Sequence, residues 1–287
     1  MDRNLMILAA GISSRMKRSA TGEASLSKKL VWEANMQPKA MISVGEGGRP
    51  FLDYLLFNAA AARYEDVVLV LNEHDEVTEP YYRDRNVWGL KLSFARQTIP
   101  ERRSKPLGTA DAVLQGLKSR SDWNGQKFTI CNSDNLYSVF SLEALLKDDH
   151  QNSMIDYDRD ALGVEPERVN AFAVIWKDDE GFLTEIVEKP NVEQVEKARD
   201  DAGRIGVSMN IFRLDRDAIL PELEACPLHP ERHEKELPTA VKMMIEKYPR
   251  AVYTIPMADE VPDLTSKSDI VKVQQYLESM EIEEEGE

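Results

Sequence analysis

The chain is 287 residues long, 42% apolar and 30% charged, with a formal net charge of −15. These values describe a folded protein with room for a large α/β core, and the acidic balance argues against a nucleic-acid backbone or an anionic membrane surface as partner. No run approaches the roughly 20 apolar residues of a membrane helix, and the basic cluster Arg15 to Arg18 follows the first apolar segment instead of preceding it as in a signal peptide.

Residues 4–10 predict a strand that exits into Ala9-Ala10-Gly11-Ile12-Ser13-Ser14-Arg15. The small side chains let a ligand approach the backbone amides, and successive amides in a turn form a concave anion site beside the fixed charge of Arg15. Residues 16–37 are a long polar segment, too long for a routine connection, and read as a lid or a disordered loop. A second cation, Lys39, follows in Gln37-Pro38-Lys39-Ala40-Met41. Residues 50–63 predict a helix with proline near its first turn. Asp66 to Asn72 is a continuous apolar run suited to a strand buried on both faces of a parallel sheet. A polar helix over 74–84, a strand over 90–97 and a helix over 109–119 come next, the last with Ala112, Val113 and Leu117 on one face. A strand over 127–132 and a helix over 139–149 complete an alternation that implies right-handed βαβ crossovers and a mostly parallel sheet.

The second half changes character. Residues 171–177, 182–188 and 206–214 predict antiparallel or mixed strands, the first two joined by an Asp-Asp-Glu-Gly turn. Helices are expected near 192–202, 215–225, 236–247 and 266–281, with a strand over 251–256 before the last. That last helix packs within the chain or against a second copy in a homo-oligomer, and Glu281 to Glu287 form a frayed acidic tail. The organisation expected is one α/β domain over 1–265, with an insert at about 16–37, followed by a helix and tail over 266–287. Cys131 and Cys226 lack metal spacing and read as reduced thiols of a cytoplasmic protein.

In an open α/β sheet, ligands bind at the carboxyl ends of the strands. Asp134 stands just past such an end, where a carboxylate either holds Mg²⁺ or caps the next helix. Asp263, in Val261-Pro262-Asp263-Leu264-Thr265, has the same structural alternative of a turn or cap. Leu107-Gly108-Thr109-Ala110 feeds a helix N-terminus, a favourable place for phosphate, and Gln97 ends the preceding strand with an amide able to read a base edge. Glu188-Lys189-Pro190 pairs a carboxylate suited to sugar hydroxyls with an ammonium suited to phosphate.

The order of these elements resembles the sugar-phosphate nucleotidylyltransferases. Small-residue turn with Arg15, Pro38-Lys39, Gly108-Thr109-Ala110, Asp134-Asn135, Glu188-Lys189-Pro190 and the late Asp263 follow one another as that family's motifs do, over about residues 4 to 280. The opening turn is also similar to cytidylyltransferases of alcohol phosphates and to molybdopterin-nucleotide enzymes. Asn132-Ser133-Asp134-Asn135 stands where the family has Gly-Asp-Asn, and the segment between Arg15 and Pro38 is longer than the family pattern.

The resemblance implies a Rossmann-like mixed, mostly parallel sheet flanked by helices, of the nucleotide-diphospho-sugar transferase type. It implies Ala10, Gly11, Ser13 and Ser14 around the nucleotide and its phosphates, and Arg15 and Lys39 against the triphosphate and the reacting α-phosphorus. Gln97, Gly108 and Thr109 would meet base and ribose; Asp134 and Asp263 would hold Mg²⁺. Glu188 and Asn210 would contact the sugar, and Lys189 its phosphate. The reaction implied is nucleotidyl transfer from a nucleoside triphosphate to a sugar 1-phosphate, giving an NDP-sugar and pyrophosphate, with UTP or dTTP favoured by Gln97 and the Gly-Thr-Ala turn. The alternatives are a cytidylyltransferase of polyol or amino-alcohol phosphates, a glycosyltransferase, and a non-catalytic nucleotide-binding regulator.

Overall fold

The computed structural model describes residues 2–18, 21–164 and 172–280. Its first half runs β1 (Asn4–Ala9), α1 (Ser14–Arg18), α2 (Lys28–Met36), α3 (Phe51–Ala61), β2 (Asp66–Asn72), α4 (Thr78–Tyr82), β3 (Lys91–Gln97), α5 (Thr109–Ser119), β4 (Lys127–Asn132) and α6 (Val139–Lys147). Then come β5 (Ser153–Asp158), β6 (Ala173–Lys177), β7 (Leu183–Val187), α7 (Val192–Lys197), β8 (Gly206–Ser208), β9 (Phe212–Asp215), α8 (Arg216–Ala225), α9 (Leu237–Lys247), β10 (Tyr253–Met257) and α10 (Lys267–Leu277).

The strands form one mixed sheet in the order β3-β2-β1-β4-β9-β5-β8-β6-β7, with β10 also paired to β5. Pairing is parallel from β3 through β4, where helices make the crossovers. It turns antiparallel at β4–β9 and in the β5, β6, β7 and β8 pairs, while β10 lies parallel to β5. Alternation along β1 and β2 divides the core in two. Leu5, Ile7, Val67 and Leu69 face the layer carrying Phe51, Leu55, Leu142 and Ile270. Met6, Leu8, Val68 and Val70 face Val113, Leu117, Ile219 and Val241 on the other side. Helices thus cover both faces, as continuous apolar strands demand. On the second face α5 approaches so closely that a Cβ at Gly116 would lie 2.6 Å from Met6 Cε.

The structure refines the expected elements. Residues 153–158, for which no element is expected, form β5, whose Asp156 is fully buried. It is tolerated there because its Oδ2 accepts from Lys177 Nζ at 2.7 Å and Arg204 Nη1 at 2.6 Å. The run 206–214 is two strands broken at Met209–Ile211, where Asn210 adopts a φ of 56°. The segment 16–37, expected as a lid or disordered loop, contains the helical turn Glu23–Ser25 and α2, whose Leu30 and Ala34 join the first core. Within it, the buried Glu33 accepts from the backbone N–H and hydroxyl of Ser43. The C-terminal helix α10 buries Ile270, Val273 and Leu277 in the chain's own core, and the tail 281–287 and Ala171 lie outside the described residues.

Candidate active site

Parallel pairing brings the carboxyl ends of β1, β3 and β4 to one edge, and a cavity of about 330 Å³ opens there. It is lined by Ala10, Gly11 and Ser13 after β1, by Pro38 and Lys39, by Gln97, Gly108 and Thr109, and by Asp134, Glu188 and Asn210. These expected site residues therefore share one cavity although up to 200 positions separate them. Ser14, Arg15, Lys189 and Asp263 are not among its lining. Arg15 and Lys189 are exposed, each next to or two residues from a lining residue.

The β1 turn is held open by side-chain contacts. Ser13 has φ 56°, its hydroxyl accepts from the Lys39 amide at 3.3 Å, and Asn72 Nδ2 donates to Ala10 O at 3.2 Å. Ala10 and Gly11 contribute no bulk, and a Cβ at Gly11 would meet nothing within 4 Å. At the end of β4, the Lys39 ammonium donates to Asp134 Oδ2, with the two side chains only 17% and 21% exposed. Low exposure limits water's competition, so this cation and this carboxylate face each other with little screening.

Asp134 and Asp263 are neighbours through their backbones. Asn135 bridges Asp263, Leu264 N donates to Asp134 O at 2.8 Å and Leu136 N donates to Pro262 O at 2.9 Å. Asp263 Oδ1 accepts from Thr265 Oγ1 at 2.7 Å. Two carboxylates on adjoining segments suit Mg²⁺, which uses one or two protein carboxylates and leaves its other positions to water and phosphate. No group of three or more histidine, cysteine or acidic side chains placed to hold a metal ion occurs among the described residues.

Gln97 is almost fully buried. Its Nε2 donates to Gly108 O at 2.9 Å and to Asp111 Oδ2 at 2.8 Å. Both partners are acceptors, so the amide orientation is fixed by chemistry and Oε1 is the atom left for a ligand. Thr109 Oγ1 accepts from Leu237 N at 2.9 Å, which commits that lone pair to the scaffold.

Glu188 lacks a close cationic partner. Burial first, then the nearby Glu236 carboxylate, pushes its pKa above the usual carboxylate value, against the opposing pull of Arg232 and Lys189. Asn210 Oδ1 is buried without a hydrogen-bond partner.

The residues that the sequence did not flag come from the connection between α8 and α9. Glu234 and Glu236 line the cavity, as does Lys105. Lys105 Nζ donates to Glu234 Oε1 at 2.5 Å, Arg103 Nη2 to His233 O at 2.8 Å, and Lys235 N to Leu107 O. Ala110 N returns a bond to Lys235 O at 3.0 Å. This stitching explains Gly108, whose φ is 110°: a Cβ there would lie 2.5 Å from Lys235 O.

The sequence matches the nucleotidyl transferase family over residues 34–280. The bifunctional protein GlmU of Staphylococcus carnosus (strain TM300) is 23% identical over 278 residues, which cover 96% of this chain and 53% of that protein. The chain thus spans about half the length of this curated relative. Among solved structures, a UDP-glucose pyrophosphorylase complexed with UDP-glucose superposes with a TM-score of 0.71 at 17% identity, over 96% of this chain and 98% of that one. A UTP-bound UGPase from Acinetobacter baumannii gives 0.67 at 20% identity, over 96% and 93%. At such identities these structures speak for the fold, which is the mixed α/β architecture described above. Among the described residues no helix is long and apolar enough to cross a membrane. With the family model matched over residues 34–280 and the cavity at the strand ends, the chain belongs to the nucleotidyl transferase family.

Proposed function

We propose that the protein transfers a nucleotidyl group from UTP or dTTP to a sugar 1-phosphate, with Mg²⁺ as cofactor, releasing pyrophosphate and an NDP-sugar. The observation that carries this reading is the gathering of Lys39, Asp134, the Ala10–Ser13 turn, Gln97 and Glu188 in one cavity. The solved relatives bind UDP-glucose and UTP, which supports the same substrate classes here.

An oxygen of the sugar phosphate attacks the α-phosphorus, the α–β bridging bond breaks, and pyrophosphate leaves. The nucleophile is already anionic, so no general base is required, and none of the four histidines lines the cavity. Rate acceleration then comes from alignment and from neutralising charge on the transferring group. Lys39 stands at the carboxylate end to meet that charge. Arg15 extends the cationic side along the triphosphate, and Ala10, Gly11, Ser13 and Ser14 offer the turn to its phosphates. Asp134 and Asp263 would hold Mg²⁺, which supplies charge neutralisation and template chemistry when bound.

Gln97 Oε1 accepts from the imino N–H of a keto base, which favours uracil and thymine, while Gly108 and Thr109 form the floor under base and ribose. At the other end Glu188 takes sugar hydroxyls, relieving the cost of a buried unpaired carboxylate, and the idle Asn210 Oδ1 takes another. Lys189 meets the sugar phosphate. A cytoplasmic setting suits the two buried free thiols, Cys131 and Cys226.

Pyrophosphate release across nucleoside triphosphates crossed with sugar 1-phosphates, with Mg²⁺ and with EDTA, tests the reading. Release that needs both substrates and the metal is expected. Release only with CTP and an alcohol phosphate would replace it with the cytidylyltransferase alternative.

A further inference from the structure

Lys267 opens α10 and is 1% exposed, among the largest fully buried side chains of the protein. A buried ammonium is costly unless paired, and its Nζ donates to Glu23, in the helical turn Glu23–Ser25 of the long N-terminal segment. The same contact is close along the backbone: Gly22 has φ 88°, and a Cβ on it would lie 2.8 Å from Ser268 Cα. Both features join the segment between Arg15 and Pro38 to the first turn of α10.

The two ends of this contact lead to the two halves of the phosphate site. Upstream, Met16 of α1 is buried in the same core cluster as Leu30 and Ala34 of α2 and Ile270 of α10, so the packing that holds this segment on α10 also holds α1 and the Ser13–Arg15 turn. Downstream, α10 begins immediately after the Thr265 and Ser266 amides, both of which donate to Asp269 Oδ2. Those residues continue directly from Asp263, which is bridged to Asn135 beside Asp134.

We propose that the Lys267–Glu23 pair is a clamp that fixes the phosphate-binding turn against the segment carrying Asp263 and Asp134, and that Lys267 is a positioning residue for triphosphate binding. This rests on the nucleotidyl-transfer reading above. The clamp touches neither the base end at Gln97 nor the sugar end at Glu188. Its loss therefore weakens the triphosphate selectively.

The test is Lys267→Met, which keeps the buried length without leaving a buried charge behind, with direct titration of UTP and dTTP in the absence of acceptor. Affinity for the triphosphate should fall about tenfold or more, as small misplacements of positioning groups do, while KM for the sugar 1-phosphate stays unchanged and Lys267→Arg restores binding. Gly22→Ala, which pushes the segment off α10 while leaving both ionic side chains in the sequence, should reproduce the effect and serves if Lys267→Met does not fold. Unchanged triphosphate affinity in a folded variant overturns the proposal, whether or not its melting temperature falls. Because binding is read without turnover, a wild-type protein that binds triphosphate but releases no pyrophosphate would defeat the transfer reading and leave the clamp to be judged on the same titration.

Discussion

The ammonium of Lys39 lies on Oδ2 of Asp134, joining the 3₁₀ turn after Pro38 to the residues just past β4, and both side chains line the cavity. A cation and an anion so placed can each meet a substrate group of opposite charge. In the proposed reaction Asp134 is the carboxylate that would hold the metal and, through Lys39, the alignment of the substrate. Asp134→Asn should lower turnover on the order of 100-fold or more. The fold should survive, because asparagine keeps the shape of aspartate and removes only its charge. Steady-state kinetics at saturating Mg²⁺, beside a melting curve, measure both; near-normal turnover would remove the residue from the machinery.

Asp111 decides which way Gln97 points. As a carboxylate it accepts only, and so holds Nε2. Asp111→Asn introduces a donor, frees the Gln97 amide to turn over, and should erode the preference for an imino N–H. The ratio of kcat/KM for UTP to that for CTP should fall by about tenfold, the scale of one hydrogen-bond mismatch. An unchanged ratio would detach Gln97 from base selection.

Glu188 makes a prediction in pH. Its carboxyl titrates above the ordinary 4.5 because of burial and Glu236, so the folded state binds the proton more tightly than the unfolded chain does. Stability from this group is thus greatest at low pH and declines as pH rises through and above 4.5. Glu188→Gln should raise the melting temperature at pH 7 by about 1–3 °C, with the gain shrinking towards pH 4.5. KM for the acceptor should rise at the same time, which a purely structural glutamate would not cause.

Gly108→Ala addresses the stitched loop. The strained φ and the approach of Lys235 O together predict a loss of about 1–3 kcal/mol in chemical denaturation. Triphosphate KM should rise with it, since the displaced loop shifts the residue 108 carbonyl to which Gln97 Nε2 donates. A stable Gly108→Ala protein with normal kinetics would mean that the loop does not shape the base end.

Much of this was visible in the sequence where the forces are local. β1, β2 and β4 are unbroken apolar runs, and only a strand buried on two faces accommodates them. The cavity's β1 turn declares itself by its small residues. β5 stayed hidden because Asp156 and Asp158 interrupt its pattern, and the partners that make Asp156 acceptable lie 21 and 48 positions away. Glu234 and Glu236 stayed hidden for the same reason. His229 to Lys235 falls between two expected helices and carries no recognisable motif, and its ties to Lys105, Leu107 and Ala110 span about half the chain. Asp134 and Asp263 were linked by resemblance to a family, not by spacing; their adjacency needs the backbone bridge at Asn135.

The central claim is the site of attack, and an oxygen label reads it directly. A sugar 1-phosphate carrying ¹⁸O in its phosphate, incubated with UTP and Mg²⁺, should give an NDP-sugar that retains all the label and pyrophosphate that contains none. Label in the pyrophosphate, or release of pyrophosphate without an NDP-sugar, would contradict attack of the acceptor phosphate on the α-phosphorus.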